Sequence, residues 1–287
     1  MYDRRSRNRG GVSPIVIMLL AQIYNQLNQL PVKPPVTVAL LAANIGPHII
    51  PHLNIWGYYL SDINGNCLQP SKIITAYLNR GDFLWNRLVL SGFIHADDHH
   101  LYYNMLSLLW KGIHLETVLG SETFLVLVVY SLLMSHLIAV LLTYIMFVCL
   151  NFSEYDAGYN TCAVGFSAVL FSLKYVHNSM STDAFSSLMG MSVATKYICW
   201  LELVVIHFMV PRSSFVGHLS GILAGVIYVH GLSAVLRKVS GRGARNHNNS
   251  SNGNNNHNAG YARTGTASSG FNNGNTSRYT YASGRVG

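Results

Sequence analysis

Charged residues are scarce in this 287-residue sequence. Lysine, arginine, aspartate and glutamate together make up 10% of it, and 50% of its residues are hydrophobic. An ordinary soluble domain contains about a quarter charged residues. The four cysteines form neither a CxxC pair nor a Cys/His zinc spacing, which argues against a disulfide-rich scaffold and gives no zinc signature. The composition therefore favours a protein that crosses a membrane several times.

The net charge of +8 does not predict nucleic-acid binding, because many basic residues cluster at the two ends of the apolar region. An excess of lysine and arginine beside membrane spans marks cytosolic segments. We therefore expect both termini in the cytosol, which requires an even number of spans. The two clusters are Arg4, Arg5, Arg7 and Arg9, and Arg237, Lys238, Arg242 and Arg245.

Apolar runs predict an all-α membrane domain of six transmembrane helices over residues 35–236. The spans are expected at 35–56, 100–115, 124–150, 164–176, 197–210 and 215–236, with the long connection 57–99 on the far side of the membrane. Residues 1–34 form a cytosolic segment whose stretch 12–32 is too polar for a span and predicts an interfacial amphipathic helix. A seventh span there is the weaker alternative. Residues 237–287 are rich in Asn, Gly and Ser, which predicts a disordered cytosolic tail.

Three polar residues are expected at one depth in this bundle. The second, fourth and sixth spans run in the same direction, and His100, Ser167 and His218 each lie within the first few residues of one of them. A serine hydroxyl becomes a nucleophile when a base takes its proton, so Ser167 and His218 predict a catalytic pair. His100 and Asn104 are four residues apart on one helix face, and their side chains could complete an oxyanion hole.

Small residues predict that the fourth and sixth spans approach each other closely. A ridge of small residues lets two membrane helices bring their backbones together, and a direct Ser–His hydrogen bond needs such an approach. The ridge on the sixth span is Gly217, Gly221 and Gly225, and the fourth span offers Gly165, Ala168 and Ser172.

Plainer interpretations compete with these. Gly-x-Ser is common as simple helix packing, and intramembrane histidines serve proton relays and substrate sites as well as catalysis. Glu116 is best explained as a charged residue that caps a turn. Cys67 and Cys162, both expected on the far side, either pair or remain free thiols. Glu202, near the middle of the fifth span, has no role that the sequence assigns.

The motifs occur in a recognisable order: His100-x-x-x-Asn104, Glu116-x-x-x-Gly120-Ser121, Gly165-x-Ser167 and Gly217-His218-x-x-Gly221-x-x-x-Gly225. Over about residues 35–236 this set resembles the rhomboid intramembrane serine proteases. The resemblance implies a six-helix fold, no cofactor, Ser167 as nucleophile, and His218 as general base and then general acid. It also implies that His100, Asn104 and the Ser167 backbone N–H stabilise the oxyanion.

Further residues gain expected supporting roles from the same resemblance. Trp85-Asn86-Arg87 looks like the family's Trp-Arg element in the first far-side loop, with one residue inserted. Phe171 stands where many bacterial relatives carry a tyrosine against the catalytic histidine, so stacking is the role left to it. Gly165, Gly221 and Gly225 belong to the motifs themselves.

Residues 95–105, 109–113 and 162–167 look most like an endoplasmic-reticulum branch of the family. That likeness implies the endoplasmic-reticulum membrane as location and membrane-protein quality control as a setting. The tail of that branch carries a ubiquitin-interacting motif and an Arg-rich segment for an AAA ATPase. Residues 240–287 contain neither an acidic-hydrophobic helix nor an Arg-rich helix, so the sequence does not predict recruitment of ubiquitin or an AAA ATPase.

The function predicted from the sequence is an intramembrane serine endopeptidase that acts within the lipid bilayer. Its partners would be membrane proteins, cleaved in or near their transmembrane segments. The alternative is a non-catalytic rhomboid-like protein that binds membrane clients for degradation; it predicts a missing Ser or His, and both are present. A channel with His100 and His218 as a proton path would often show inverted repeats, and we find none in the sequence.

Overall fold

Ten α-helices and two short β-hairpins make up the described part of the chain in the computed structural model. The structure describes residues 12–50, 52–55, 57–60, 62–154, 156–188, 190–210 and 213–232. The predicted tail and the basic residues before position 12 lie outside these ranges, and so do Arg237 and the basic residues that follow it.

The helices follow one another along the chain with connections of very different length. They are α1 (Pro14–Asn28), α2 (Pro35–Ile49), α3 (Ile63–Asn66), α4 (Pro70–Arg80), α5 (Trp85–Leu90), α6 (Asp98–Leu119), α7 (Ser121–Tyr144), α8 (Ser167–Met180), α9 (Thr195–Met209) and α10 (Phe215–Ile227). Proline, which suits a first helical turn, begins α1, α2 and α4. A 3₁₀ turn, Ser91–Phe93, follows α5, and π-helical turns extend α7 through Ile145–Cys149 and α10 through Tyr228–Leu232.

The main core lies where α6, α7, α8 and α10 meet. Buried apolar side chains from the first three, such as Leu101, Phe124 and Val169, form one cluster, which Tyr228 joins just after α10. One face of α1 packs against α6 and adds Val16 to that cluster, while other apolar residues of α1 remain exposed. The predicted helix in 12–32 is therefore present and amphipathic; its location at a membrane interface stays a prediction.

The backbones of α8 and α10 approach each other closely. A Cβ atom added at Gly221 would lie 2.1 Å from the carbonyl oxygen of Ala168, and one added at Gly225 would lie 2.9 Å from that of Ser172. Ser172 also shares a 2.9 Å hydrogen bond with Ser131 of α7. Small residues at these positions therefore allow the backbones of α8 and α10 to meet, and a pair of serine side chains joins α8 to α7.

Glu116 ties the turn between α6 and α7 to the start of α2. Its carboxylate accepts hydrogen bonds from the backbone N–H groups of Val36 (2.9 Å) and Thr37 (2.7 Å), and from the hydroxyls of Thr37 (2.7 Å) and Ser121 (2.8 Å). The free N–H groups of a helix start need such acceptors. Glu116 therefore caps more than its own turn, because it anchors α2 to the bundle.

Two segments differ from the sequence-based prediction. The first predicted span, 35–56, is a helix only to Ile49, and Asn54–Ile55 then pairs as strand β1 with β2, Tyr58–Tyr59. The polar stretch 177–196, expected as a connection, contains an antiparallel hairpin of β3 (Phe185–Leu188) and β4 (Met191–Ala194). Both segments alternate apolar and polar residues too weakly for periodicity to separate strand from helix.

Among the described residues, one helix alone is long and apolar enough to cross a membrane by itself. It runs from Ser121 to Cys149 over 29 residues, with a mean hydropathy of 2.5. Two shorter apolar helices span Pro35–Ile49 and Phe215–Gly231. The fold is mostly helical, as predicted, and the number of membrane crossings remains a prediction.

The contact between α8 and α10 yields a test. We expect Gly221→Ala to lower the free energy of unfolding by about 1–3 kcal/mol, because the added methyl must push the Ala168 backbone away. Thermal unfolding in detergent measures the effect. Gly46→Ala in α2 is the matched control, because a Cβ there meets nothing within 4 Å. Equal melting temperatures for the two variants would contradict this account of the helix contact.

Candidate functional site

Ser167 and His218 lie within hydrogen-bond distance of each other. The Ser167 Oγ is 3.0 Å from Nε2 of His218. Ser167 is the first residue of α8, and His218 is in the first turn of α10, whose start is capped by the Ser214 side chain bonded to the Gly217 N–H (3.1 Å). The two helix starts thus bring a hydroxyl and an imidazole together, across 51 residues of sequence.

The close packing of α8 and α10 is what brings the pair together. Ser167 directly precedes Ala168, and His218 lies one helical turn before Gly221, the residue that Ala168 contacts. A larger side chain at position 221 would separate the two helices at the level of the pair. The predicted small-residue surfaces therefore meet at the candidate site.

Phe171 lies one turn after Ser167 and packs against the histidine. Its ring centroid is 4.7 Å from that of His218, with the planes tilted by 33°. Both side chains are buried. The contact restricts the imidazole from one side, which is the geometry that the predicted stacking role requires.

His100 covers the backbone just before Ser167. Gly165 has φ +113°, and a Cβ atom there would lie 2.5 Å from Cε1 of the His100 ring. A glycine is therefore needed both for the backbone angle and for the space. The N–H of His100 is bonded to the side chain of Asp97 (2.8 Å), which caps the start of α6.

Asn104 lies one turn below His100 on α6. Its Nδ2 donates to the carbonyl of His100 at 2.8 Å, and the residue is buried. An amide nitrogen carries two hydrogens, so one remains for another acceptor. His100 and Asn104 thus share one helix face beside the segment that leads to Ser167, as their spacing predicted.

His95 is a site residue that the sequence analysis did not single out. It is almost completely buried, and its ring meets that of His100 edge-on with centroids 5.1 Å apart. Burial lowers the pKa of His95 well below its usual value, with the nearby His100 and His48 acting in the same direction. A neutral imidazole therefore supports the His100 ring. In the sequence, only the position of His95 five residues before His100 could have indicated that it belongs to the site.

Trp85 and Arg87 lie in the first loop, and neither makes a described contact with the Ser–His pair. The guanidinium of Arg87 donates to the carbonyls of Cys67 and Asn64, each at 2.9 Å. Trp85 is 59% exposed, and its ring is near that of Phe83. Arg87 thus holds the loop that contains Cys67, and the described contacts of Trp85 are at the surface.

A disulfide joins that loop to the segment before α8. Cys67 bonds Cys162 across 95 residues, and beside it Leu68 and Ala163 exchange two backbone hydrogen bonds (2.8 and 3.0 Å). The N–H of Gly165 donates to the carbonyl of Ser91 at 2.9 Å. These links hold the backbone of residues 162–165 immediately before Ser167. The sequence analysis had left pairing and free thiols equally open.

The arrangement has the parts of an acyl-transfer site. The imidazole can take the proton of the Ser167 hydroxyl, and the free N–H groups at the start of α8 favour negative charge on an oxyanion nearby. Within the described residues, no three His, Cys, Asp or Glu side chains come together as metal ligands.

The sequence of this chain is similar to a known protein family and to several known proteins. Residues 82–235 match the model of the rhomboid domain. The chain is 41% identical to rhomboid-like protein 14, mitochondrial, of Arabidopsis thaliana, over 79% of this chain and 64% of that protein. It is 39% identical to human rhomboid-related protein 4 over 80% and 66%, and 37% identical to the mouse protein over the same shares. The chain thus spans about two thirds of the length of these relatives. No solved structure matches it significantly.

The contact between Gly165 and His100 can be tested with a matched pair of glycines. We expect Gly165→Ala to slow the reaction of Ser167 with a fluorophosphonate by about tenfold or more, because the methyl displaces His100 or the backbone before Ser167. Gly158→Ala is the control: its φ is also positive, at +69°, but the nearest atom to an added Cβ is 3.5 Å away. If both variants react equally fast, the His100 contact does not support the serine.

The disulfide predicts a defined thiol count. Under denaturing, non-reducing conditions two of the four cysteines should react with iodoacetamide, and all four after reduction. Replacing both Cys67 and Cys162 by Ser should lower the melting temperature in detergent, because closing a loop of this length stabilises the fold by about 4.7 kcal/mol in the chain-entropy model. Cys149→Ser, at an exposed free cysteine, is the control. Four reactive thiols before reduction would refute the pairing.

Proposed function

This chain belongs to the rhomboid family, and from that membership we propose that it is an intramembrane serine endopeptidase. The observation that carries the proposal is the 3.0 Å approach of Ser167 Oγ to His218 Nε2 at the starts of two buried, closely packed helices. The substrates would be other membrane proteins, cut in or near a transmembrane segment.

The proposed reaction uses the pair in two stages. His218, protonated on Nδ1, accepts the Ser167 proton at Nε2 while Oγ bonds to the substrate carbonyl carbon. The oxyanion is stabilised by the Ser167 N–H and by His100 and Asn104. Collapse breaks the C–N bond, the leaving amine takes the proton from His218, and an acyl-enzyme remains. Water, activated by the same imidazole, then releases the acyl group.

We further propose that α2, α6, α7, α8, α9 and α10 are the six membrane crossings. Rhomboid proteins are membrane-embedded, and this arrangement starts α6, α8 and α10 on the same side of the membrane. The Ser–His pair would then face the far side, from which water reaches it. An intact helix hides its carbonyls, so preferred substrates should contain helix-breaking or small residues near the cut.

The endoplasmic-reticulum membrane is our proposed location, with both termini cytosolic. The disulfide supports an oxidising compartment on the far side, as the lumen of that organelle provides. One relative carries the word mitochondrial in its name, so mitochondria are the alternative. Microscopy of a tagged chain against markers of both organelles decides between them.

A second candidate function is client binding without cleavage. Family members do not all need to be proteases, and the surfaces that would hold a substrate helix would equally hold a client. The presence of both Ser167 and His218 in hydrogen-bond distance favours the protease, because a binding protein has no need of the pair.

The decisive experiment is cleavage of a tagged single-span substrate library by the full chain. We expect Ser167→Ala and His218→Ala each to lower cleavage by about a thousandfold or more, because either change removes the nucleophile–base pair. Two matched controls lie on the same helical segments but away from the site. Ser179→Ala changes an exposed serine near the end of α8, and His230→Ala changes an exposed histidine in the turn that extends α10.

Two of the possible results would count against the protease, and one would indicate misfolding instead. Cleavage that persists in both site variants would assign the activity to another protein. Cleavage lost equally in the Ser179 and His230 controls would indicate a folding defect. If no variant cleaves, but all of them co-purify with clients and shorten client lifetimes, the client-binding function is the correct one.

A further inference from the structure

Three ionisable side chains from three different helices lie together in the bundle, away from the Ser–His pair. They are Lys111 of α6, Lys174 of α8 and Glu202 of α9. Lys111 is almost completely buried, and the side chains of Lys174 and Glu202 are 16% and 23% exposed. Charges within a membrane bundle are expensive and rare, so a group of three calls for an explanation.

Lys174 links the other helices at this level. Its Nζ is 3.4 Å from Oε2 of Glu202, an ion pair longer than an ideal hydrogen bond. The same Nζ lies 5.9 Å from the ring centroid of Trp110 on α6, within range of a cation–π contact. Lys111 donates to the Ser107 hydroxyl and interacts electrostatically with Glu202. Within this group the ion pair is the one between Lys174 and Glu202.

This charged group borders the contact between α8 and α9. Cys199 and Leu203 of α9 pack with Phe171 of α8 and Ile222 of α10 in one buried cluster. The Sγ of Cys199 lies 3.9 Å from the carbonyl oxygen of Phe171. Glu202 is between Cys199 and Leu203 in sequence, so its ion pair acts on the same turn of α9 that touches Phe171.

Phe171 connects that turn to the candidate catalytic site, because its ring packs against His218. The path from the carboxylate to the imidazole therefore consists of one turn of α9 and one aromatic side chain. The charged side chains themselves make no described contact with Ser167 or His218. This geometry therefore gives the three charged side chains no direct chemical role in acyl transfer.

Apolar packing alone would not fix α9 in this position. Helices in lipid gain little from burying apolar surface against each other, because the lipid chains are equally apolar. The helix α9 packs mainly against α8 and less against α10. A specific ion pair selects one register, since a shift of α9 would leave charges unpaired in a medium of low polarity.

We propose that Glu202 is a positioning residue: its ion pair with Lys174 holds α9 in the register in which Cys199 and Leu203 pack Phe171 against the His218 imidazole. The effect on turnover rests on the proposed peptidase function. The effect on the packing of α9 is independent of that function, and it is measured separately.

Cys199 is a native reporter of that packing. It is a free, completely buried cysteine, and Cys149 is the other free one. In a Cys149→Ser, Ser167→Ala chain in detergent, we expect Glu202→Gln to speed alkylation of Cys199 by N-ethylmaleimide about tenfold, because α9 loses its register. The exchange Lys174→Glu with Glu202→Lys should restore slow alkylation. Lys196→Met removes an exposed charge from the first turn of α9 and is the matched control.

The second readout is the cleavage reaction in chains that keep Ser167. Glu202→Gln should lower kcat about tenfold with KM within about twofold, since the imidazole is misplaced while substrate contacts remain. The charge exchange should recover most of kcat. If the exchanged chain does not fold, Lys174→Met with Glu202→Met serves instead, because a buried ion pair can often be replaced by apolar side chains.

The outcomes separate the two levels of the proposal. Unchanged alkylation in Glu202→Gln refutes the positioning role, whatever the activity. Faster alkylation that neither double variant reverses assigns the effect to the carboxylate alone and refutes the ion pair. If the parent chain never cleaves but the alkylation series behaves as expected, the peptidase function fails and the packing role of Glu202 stands.

Discussion

The contact between the backbones of α8 and α10 is the constraint on which the candidate site depends. An added methyl at Gly221 would lie 2.1 Å from the Ala168 carbonyl oxygen, so the two helices are as close as a glycine permits. Ser167 adjoins one side of this contact, and His218 lies one turn from the other. The 3.0 Å approach of their side chains is thus a consequence of backbone packing. Even a methyl group inserted there would act directly on the distance between hydroxyl and imidazole.

A second set of links fixes the segment that leads to Ser167. The disulfide, the two hydrogen bonds between Leu68 and Ala163, and the bond from Gly165 to Ser91 attach residues 162–165 to the first loop. Arg87 in turn holds that loop through the carbonyls of Cys67 and Asn64. Helix packing sets where Ser167 lies, and these links set how the chain enters α8. His100 fits the space that Gly165 leaves in this entry.

The sequence predicted the parts of the site that depend on residue type at helical spacing. The small residues of α8 and α10, and the positions of Ser167, His218, His100 and Asn104 at or near helix starts, were all readable from the motifs. The end of α2 and the hairpin at 185–194 were not, because short segments with weak apolar–polar alternation suit helix and strand equally. The pairing of Cys67 with Cys162 and the burial of His95 depend on contacts between segments distant in sequence. Such contacts leave no periodic signal.

The Ser167–His218 pair and the Lys174–Glu202 ion pair lie at two levels of the bundle, and their separation has a physical reason. Ser167 is the first residue of α8, whereas Lys174 follows it by seven residues, or about 10 Å along the helix. The proposed deacylation would need water at Ser167, whereas an ion pair in the bundle is stronger where water is excluded. Phe171 lies between the two levels, against His218 on one side and the turn of Cys199 on the other. Its ring can therefore separate the candidate site from the ion pair while transmitting the position of α9 to the imidazole.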